Sequence, residues 1–340
     1  MNVLFFIGNG FDKAQGLNTS YQDFYKFLKT QKSKSQLEER IKSEIRSDYE
    51  TWADLEVGLG KYSAEFTDAD TFLDVLNIMN GRLKEYLIQE NNKLASLVLS
   101  RQKLVGDLCY PDGELEEKQR SLYRSFVKAH QGDMSVDCVS LNYTNTLEHI
   151  LGGHTRVFLN NLNIGRDTAY LNNLIHLHGT LDEMILLGVN DVSQISNVSF
   201  RNNTNIIENF VKPEINNGCE NMRNERVSDL IKNAHLIVLF GVSIGLTDQQ
   251  WWDAMGTRLE DSDFRLIYYP YNVKKDVVAT PNYKLRWAKE YIGFIKERMG
   301  SALSVEGLRE KVYVGINKPF LNLVDNSAKP SAPHPLDKLS

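Results

Sequence analysis

The sequence of 340 residues has few of the features that define several large classes of protein. Its three cysteines are far apart and form no Cys-x-x-Cys pair, so neither a disulfide framework nor a cysteine zinc site is implied. No apolar run reaches the roughly 18 residues that a membrane-spanning helix needs. The net charge is −5 and the basic residues are scattered, so there is no strong nucleic-acid signal. We therefore expect a cytoplasmic protein that does not bind membranes, and we expect no leader because a strand begins at once.

The most informative residues of the sequence lie at the start of the chain. Residues 3–7 are five consecutive apolar residues, which predict a fully buried strand of a parallel sheet. Gly8 and Gly10 follow directly, and without a Cβ they can adopt positive φ and let a ligand approach the backbone N–H groups. A helix that begins near Asp12 would favour an anion at this turn. The dinucleotide motif G-x-G-x-x-G is incomplete because its sixth position is Lys13, so a turn without a ligand is an alternative of equal weight.

A long helical pattern follows this turn. Apolar residues recur at every third or fourth position through residues 21–132, which predicts a helical subdomain. We predict that this subdomain is inserted into a nucleotide-binding core formed by residues 1–20 and 133–325. Residues 326–340 are polar and interrupted by proline, which predicts a disordered tail.

Two carboxylates, Asp54 and Glu56, lie close together in the helical part. Paired carboxylates can hold a magnesium ion. Positions i and i+2 of a helix do not face one another, however. We therefore interpret the pair as a solvated acidic face.

Strands and helices alternate in the second half of the sequence. The predicted strands are residues 136–141, 157–159, 174–177, 184–189, 236–240, 264–269 and 312–316. The alternation predicts an α/β fold with a Rossmann-like, doubly wound and mostly parallel sheet. The strands between residues 157 and 189 are too closely spaced for crossover helices, so we expect some antiparallel pairing there.

Glycine or polar turns follow several of these strands, at residues 8–12, 142–145, 178–179 and 241–243. The carboxyl ends of strands in an open α/β sheet converge on one crevice, so these turns are expected to line a single pocket. His176 and His178 share a strand face, but a histidine pair without a third ligand is weak evidence for a metal. We expect no metal at this site.

One turn matches a hydrolase motif. Residues 241–245 have the pattern G-x-S-x-G, with Ser243 at the position of a nucleophile. The triad of that fold requires a later histidine, and the sequence offers His334, which lies in the proline-rich tail. We therefore expect Ser243 to bind a sugar or a phosphate rather than to act as a nucleophile.

The sequence resembles the AbiH family of bacterial abortive-infection proteins in five segments. In order, these are GNGFDKAQGLNTSYQDF, WADLE, LNYTNTLE, IHLHGTLDEMILLGVND and LFGVSIGLTD. The resemblance extends to about residue 270. It implies a role in defence against bacteriophage.

The same motifs are similar, more remotely, to the NAD-binding core of sirtuins, with the same order and strand context. This similarity implies a sirtuin-like fold and catalytic roles for Asn142 and His178. It also implies NAD contacts by Gly8, Asn9, Gly10, Phe11, Asp12, Tyr143, Thr144, Gly179, Gly241 and Ser243. The sequence departs from the sirtuin pattern at Asn9 and Thr144 and lacks its four zinc-binding cysteines, so protein deacylation is not implied.

These resemblances lead to the hypothesis of an NAD hydrolase, in which NAD is the substrate. Gly8 and Gly10 would hold the pyrophosphate and Ser243 a ribose. Asn142 would hold the nicotinamide or the attacking water, and His178 would act as general base. The expected partner is NAD or a related nucleotide, with a second copy of the chain or a phage-derived trigger controlling activity.

Two other functions compete with this hypothesis. One is a nucleotide-binding sensor that recruits a partner without turnover. The other is a metal-dependent nuclease that uses Asp12, Asp54 and Glu56.

Simpler roles also compete at single positions. Asn142 and Asp12 could each cap the helix that follows, and Asp191 and Asp248 fit turn and cap positions. His176 could face the core.

Overall fold

A computed structural model describes residues 1–130, 132–152, 157–160, 168–218, 222–270, 281–316 and 318–324. The strands are β1 (Asn2–Ile7), β2 (Met134–Ser140), β3 (Val157–Asn160), β4 (Ala169–His176), β5 (Leu236–Phe240), β6 (Arg265–Tyr269) and β7 (Val312–Val314). The helices are α1 (Gly10–Ala14), α2 (Tyr21–Thr30), α3 (Gln36–Ser47), α4 (Leu55–Tyr62), α5 (Ala69–Asn92), α6 (Arg101–Cys109), α7 (Glu117–Lys128), α8 (Thr146–Leu151), α9 (Thr204–Phe210), α10 (Lys212–Gly218), α11 (Arg223–Asn233), α12 (Gln249–Arg258), α13 (Pro281–Met299) and α14 (Val305–Leu308). The tail predicted over residues 326–340 lies outside the described residues.

The strands form one sheet in the order β3-β4-β2-β1-β5-β6-β7. Every pairing is parallel except that of β3 with β4. The chain runs outward from β1 to β2 and β4, then returns to place β5 on the other side of β1 and continues outward to β7. Counted by themselves, the parallel strands have the order of the doubly wound nucleotide-binding folds, with the switch point between β1 and β5. The predictions of a mostly parallel α/β sheet and of some antiparallel pairing are confirmed.

Strand β1 lies at the centre of this sheet, and its composition explains why. The side chains of residues 3–7 are all buried, at most 2% exposed. They point alternately to the two faces of the sheet, into two different hydrophobic clusters. A strand covered on both faces needs continuous apolar sequence rather than alternation.

One predicted strand is wrong. Residues 184–189 form no strand, and only Val189 makes an isolated bridge, to Val211. The N–H of Leu186 donates instead to the carbonyl oxygen of His178 at 2.8 Å. The apolar side chains of this segment, including Ile185, pack among the helices rather than in the sheet, and that packing produces the apolar pattern.

The helices before β2 divide between two cores. Side chains of α2 to α5 form a cluster with Tyr143 and with side chains of the segment between Leu181 and Val211. Side chains of α6 and α7 instead belong to the cluster under the sheet. The division of the chain into domains stays a prediction. None of the helices in the described part of the chain combines the length and the apolar character needed to cross a bilayer.

Residues 318–324, which we call the C-terminal strap, pack back against the end of α1. The side-chain amide of Gln15 donates to the carbonyl oxygen of Leu321, and its Oε1 accepts from the N–H of Leu323, both at 2.8 Å. Gln15 is 1% exposed, and the ring of Phe320 is buried in the core under the sheet. The strap therefore holds the end of α1, which follows the β1 turn, through the side chain of Gln15.

The turns after β1 and β5 pack directly against each other. The N–H of Gly8 donates to the carbonyl oxygen of Phe240 at 2.9 Å, and the N–H of Gly10 donates to that of Gly241 at 3.0 Å. Positive φ occurs at Gly241, at 64°, and not at Gly8 or Gly10 as the sequence suggested. A Cβ on Gly241 would lie 2.5 Å from the Cα of Gly10. Position 241 therefore requires glycine for two reasons, because its φ is positive and because the backbone at Gly10 leaves no room for a Cβ.

This contact predicts an unequal effect of alanine at two glycines with the same φ. Gly241→Ala should lower the free energy of unfolding by about 2–4 kcal/mol, from backbone strain and overpacking together. Gly300→Ala is the matched control, because its φ is also 64° but nothing lies within 4 Å of its Cβ position. It should cost about 1–2 kcal/mol. Urea unfolding of both variants checks this, and equal losses would contradict a rigid contact between the turns.

Candidate active site

A pocket of about 560 Å³ opens at the carboxyl ends of the parallel strands, which we call the strand-end pocket. Its volume is within the range of small-molecule sites. It is lined by the predicted site residues Gly8, Asn9, Gly10, Asp12, Asn142, Tyr143, Thr144, His178, Gly241 and Ser243. Turns far apart in the sequence therefore meet at one place.

Phe11 and Gly179 do not line the pocket. Phe11 is fully buried and its ring packs edge-on against Phe240 in the core under the sheet. Gly179 is buried in a turn with φ 78°, where a Cβ would lie 1.9 Å from the carbonyl oxygen of Met184. These two residues are therefore not brought to the pocket wall with the others, and their contact with a nucleotide, which the resemblance implied, stays a prediction.

The glycine turn offers fewer donors than expected. The N–H groups of Gly8 and Gly10 are used by the neighbouring turn, so they cannot also bind a pyrophosphate without opening that contact. The Oδ1 of Asn9 accepts from the hydroxyl of Thr19 at 2.6 Å. Lys13 brings a positive charge to this end of the pocket.

Asp12 joins the first two turns. Its carboxylate is 1% exposed and accepts from the hydroxyls of Thr144 at 2.6 Å and Thr146 at 2.7 Å. Burial raises the pKa of Asp12, while the threonine hydroxyls act in the opposite direction. Both carboxylate oxygens are occupied, so Asp12 serves as a link between β1 and β2 and not as a helix cap.

Asn142 is tied to the same turn. Its side-chain Nδ2 donates to the carbonyl oxygen of Gly8 at 3.1 Å, and its backbone N–H donates to the hydroxyl of Ser140. It does not cap α8, which begins after Asn145. Within the described residues its Oδ1 has no hydrogen-bond partner, so this atom can accept from a ligand or a water.

His178 is held by a carboxylate that the sequence analysis assigned to a cap. Its Nε2 lies 2.9 Å from Oδ1 of Asp248, and the same oxygen accepts from Lys212 at 3.1 Å. Burial would raise the pKa of Asp248, but the charges of His178 and Lys212 hold it well below its usual value. An ionised carboxylate only accepts, so Nε2 carries the proton. In the neutral ring Nδ1 keeps a lone pair, and among the described residues it has no partner.

A buried lysine extends this arrangement to the helices. Lys212, which is 4% exposed, donates to Glu56 at 2.7 Å as well as to Asp248. Burial disfavours its charge, yet the two carboxylates raise the pKa of Lys212 above its ordinary value. The other oxygen of Glu56 accepts from the N–H of Gly188 at 3.2 Å. Burial outweighs the attraction of the shared lysine and raises the pKa of Glu56.

The interpretation of Asp54 and Glu56 as a solvated acidic face is wrong. Both carboxylates line the strand-end pocket, and Glu56 is 4% exposed. The helical part also contributes Tyr21, Leu83 and Leu87 to the pocket wall. The reason is the position of α4, whose N-terminus lies against the strand ends rather than in solvent.

The histidines and carboxylates of the strand-end pocket form no group of three ligands among the residues that the structure describes. Nε2 of His176 lies 2.6 Å from Oε1 of Glu148, so His176 and His178 have different carboxylate partners. Within the described residues, the group with ligand atoms close enough to share an ion is His130, His235 and Asp263, at the opposite edge of the sheet. Asp12, Asp54 and Glu56, the ligands of the nuclease hypothesis, do not form such a group, since Asp12 is bonded to threonines and Glu56 to Lys212.

Comparison with known protein families gives one finding for this chain. A family model described as Bacteriophage abortive infection AbiH matches residues 4–269, which include most of β1, strands β2 to β6 and the turns at residues 8–12, 142–145, 178–179 and 241–243. No curated protein matches the chain.

The buried lysine predicts strong coupling between α4 and α10. Lys212→Met leaves the buried carboxylate of Glu56 without a cation and that of Asp248 with His178 alone, which should lower the free energy of unfolding by about 3–5 kcal/mol. Combining it with Glu56→Gln removes one of those charges, so the double variant should lose less than the sum of the single losses. A double-mutant cycle by urea unfolding measures this, and additive losses would rule out the coupling.

The lowered pKa of Asp248 predicts a dependence of stability on pH. The carboxylate stabilises the fold above its unfolded pKa and loses that effect as pH falls toward the folded value. Wild type should exceed Asp248→Asn in unfolding free energy near neutrality, and the difference should shrink below about pH 4. Urea unfolding between pH 7 and pH 3 measures the difference, with the exposed Asp253→Asn on the same helix as control. A difference that stays constant with pH would contradict the assignment.

Proposed function

The chain belongs to the AbiH family of bacteriophage abortive-infection proteins, and within this role we propose that it cleaves NAD at the nicotinamide-ribose bond. The reaction takes place in the strand-end pocket. The doubly wound strand order supports a Rossmann-like nucleotide site at the switch point, and the sirtuin resemblance of the turns supports NAD as the nucleotide.

One observation carries the proposal. Asn142 and His178, which belong to different strand ends, line a single pocket beside the β1 turn, and each keeps an atom that can accept a hydrogen bond. His178 is oriented by Asp248 in the way that a carboxylate orients a catalytic histidine. A general base must present a nitrogen that can accept a proton, and the bond of Nε2 to Asp248 leaves Nδ1 for that role.

The chemistry is a hydrolysis that passes through an oxocarbenium-like sugar. The bond between the ribose C1′ and the nicotinamide nitrogen breaks, and its electron pair stays with that nitrogen and cancels the positive charge of the ring. A water oxygen forms the new bond to C1′ and gives one proton to Nδ1 of His178. The products are nicotinamide and ADP-ribose, and the proton is finally released to solvent.

The other residues of the pocket have binding roles in this proposal. Asn142 accepts from the attacking water through Oδ1, and the exposed hydroxyl of Ser243 binds a ribose. The pyrophosphate lies near the β1 turn, where Lys13 provides positive charge. Because the N–H groups of Gly8 and Gly10 are engaged, these glycines provide close approach rather than donors.

The helical wall offers a means of control. Helices α2, α4 and α5 contribute side chains to the pocket, so any partner that shifts them changes its shape. A second copy of the chain or a phage-derived trigger acts at these helices in the proposal. Full activity of the isolated monomer would count against such control.

The proposal is tested by nicotinamide release from NAD by the purified full-length protein. His178→Ala and Asn142→Ala should each lower the rate, with about 10²–10⁴-fold expected for loss of the general base. His149→Ala is the control, because this histidine is exposed on α8 and does not line the strand-end pocket. Circular dichroism establishes that each variant is folded.

The outcomes separate the competing functions. Cleavage at this site is supported if wild type and the His149 variant release nicotinamide and the His178 and Asn142 variants do not. Saturable NAD binding without release, with and without phage extract, favours the sensor. If the protein neither binds NAD nor releases nicotinamide, the proposal is overturned, and the sirtuin resemblance is then one of fold alone.

A further inference from the structure

Asp54 presents a fixed carboxylate oxygen to the strand-end pocket. It is the N-cap of α4, and its Oδ1 accepts from the N–H groups of Glu56 at 2.9 Å and Val57 at 3.2 Å. These two bonds fix the position of Oδ1. Within the part of the chain that the structure describes, Oδ2 has no hydrogen-bond partner, although Asp54 lines the pocket.

The cap itself does not require this second oxygen. An N-cap needs one side-chain acceptor, and serine or asparagine provides it as well as aspartate does. Oδ2 lies near the β5 turn, 3.9 Å from the position that a Cβ on Gly245 would occupy. An oxygen that the helix does not use therefore lies among the turns that line the pocket.

Two other carboxylates of the pocket use both oxygens, whereas Asp248 uses Oδ1 for His178 and Lys212. Both oxygens of Asp12 accept from threonine hydroxyls, and both oxygens of Glu56 accept from the N–H of Gly188 and from Lys212. Asp54 therefore differs from these two in keeping an oxygen for a ligand. Burial, opposed by the backbone bonds at Val57 and Glu56 and by Lys212, raises the pKa of Asp54.

The proposed reaction has a use for such an oxygen. As nicotinamide leaves, positive charge develops on the ribose, and a preorganised negative group in a partly dry site stabilises that charge more than it stabilises the ground state. A carboxylate oxygen also accepts hydrogen bonds from ribose hydroxyls. Both interactions need an oxygen that is fixed before the substrate arrives.

We propose that Asp54 is a catalytic residue whose Oδ2 contacts the ribose of NAD and stabilises the positive charge that develops there. No covalent bond to the protein is formed, so the atoms and electrons balance as in the hydrolysis described above. The inference rests on the proposed NAD cleavage. It adds a catalytic residue on the helical wall of the pocket, in addition to those on the strand ends.

The test replaces the charge and keeps the cap. Asp54→Asn preserves an acceptor for the N–H groups of α4, and Asp54→Ser preserves the acceptor while removing Oδ2 altogether. Each should lower kcat for nicotinamide release by about 100-fold. KM for NAD should change less, by no more than about threefold, because the charge develops in the transition state.

The matched control is Asp68→Asn. Asp68 is the N-cap of α5, accepts from the N–H of Thr71 at 2.9 Å and is exposed outside the pocket. It loses the same charge at the same kind of position and should leave kcat unchanged. The urea midpoints of the Asp54 variants should match that of the control, which separates lost chemistry from lost folding.

The failures of the two proposals can be told apart. Nicotinamide release that is within threefold of wild type in either folded Asp54 variant overturns the role of Asp54 and leaves NAD cleavage intact. An equal fall of kcat in the Asp68 variant also overturns it, because loss of a negative charge outside the pocket would then have the same effect. Absence of release by wild type overturns NAD cleavage itself, and the role of Asp54 with it.

Discussion

Direct contact between two glycine turns determines how the ends of the central strands are presented. The backbone at Gly8 and Gly10 lies against that of Gly241, and the N–H groups of Gly8 and Gly10 donate across the contact to the carbonyl oxygens of Phe240 and Gly241. Asn142 and Asp12 then attach the end of β2 to the same turn through buried hydrogen bonds. Three strand ends thus form one base for the pocket, and a side chain on any of them is placed relative to the other two.

The wall of the pocket is attached to this base by charge rather than by apolar packing alone. Lys212 on α10 bridges Glu56 on α4 and Asp248 at the start of α12. Three helices that are far apart in the sequence meet at one ammonium group, and Asp248 in turn orients His178. Because unpaired buried charges are costly, displacement of one of these helices is resisted by the other two. The orientation of the histidine therefore depends on the position of the helical wall.

The sequence predicts those parts of the fold whose causes are local. Continuous apolar residues mark β1 and β5 because strands covered on both faces carry that burial in their own composition. The turns that end these strands are marked by glycine and polar residues, and parallel topology brings them together. The AbiH resemblance, which rests on those turns, is confirmed by the match over residues 4–269.

The remaining parts depend on contacts between distant segments. Residues 184–189 have the apolar pattern of a strand, but their neighbours in space are helices, which local sequence does not specify. Spacing along α4 could not reveal that Asp54 and Glu56 face the strand ends. Lys212 lies in no motif, and only its position between two carboxylates makes it important.

The C-terminal strap bears on where the folding unit ends. The match to the family model extends to residue 269, yet Phe320 stacks on Tyr269 with ring centroids 4.1 Å apart, and strand β7 pairs with β6 beyond that limit. The buried amide of Gln15, at the foot of the first turn, has partners that come from the strap. Residues beyond the matched segment therefore complete the packing of residues within it. A substitution in the strap at Phe320 or Leu321 is therefore expected to disturb the β1 turn, although the two lie about 300 residues apart in the sequence.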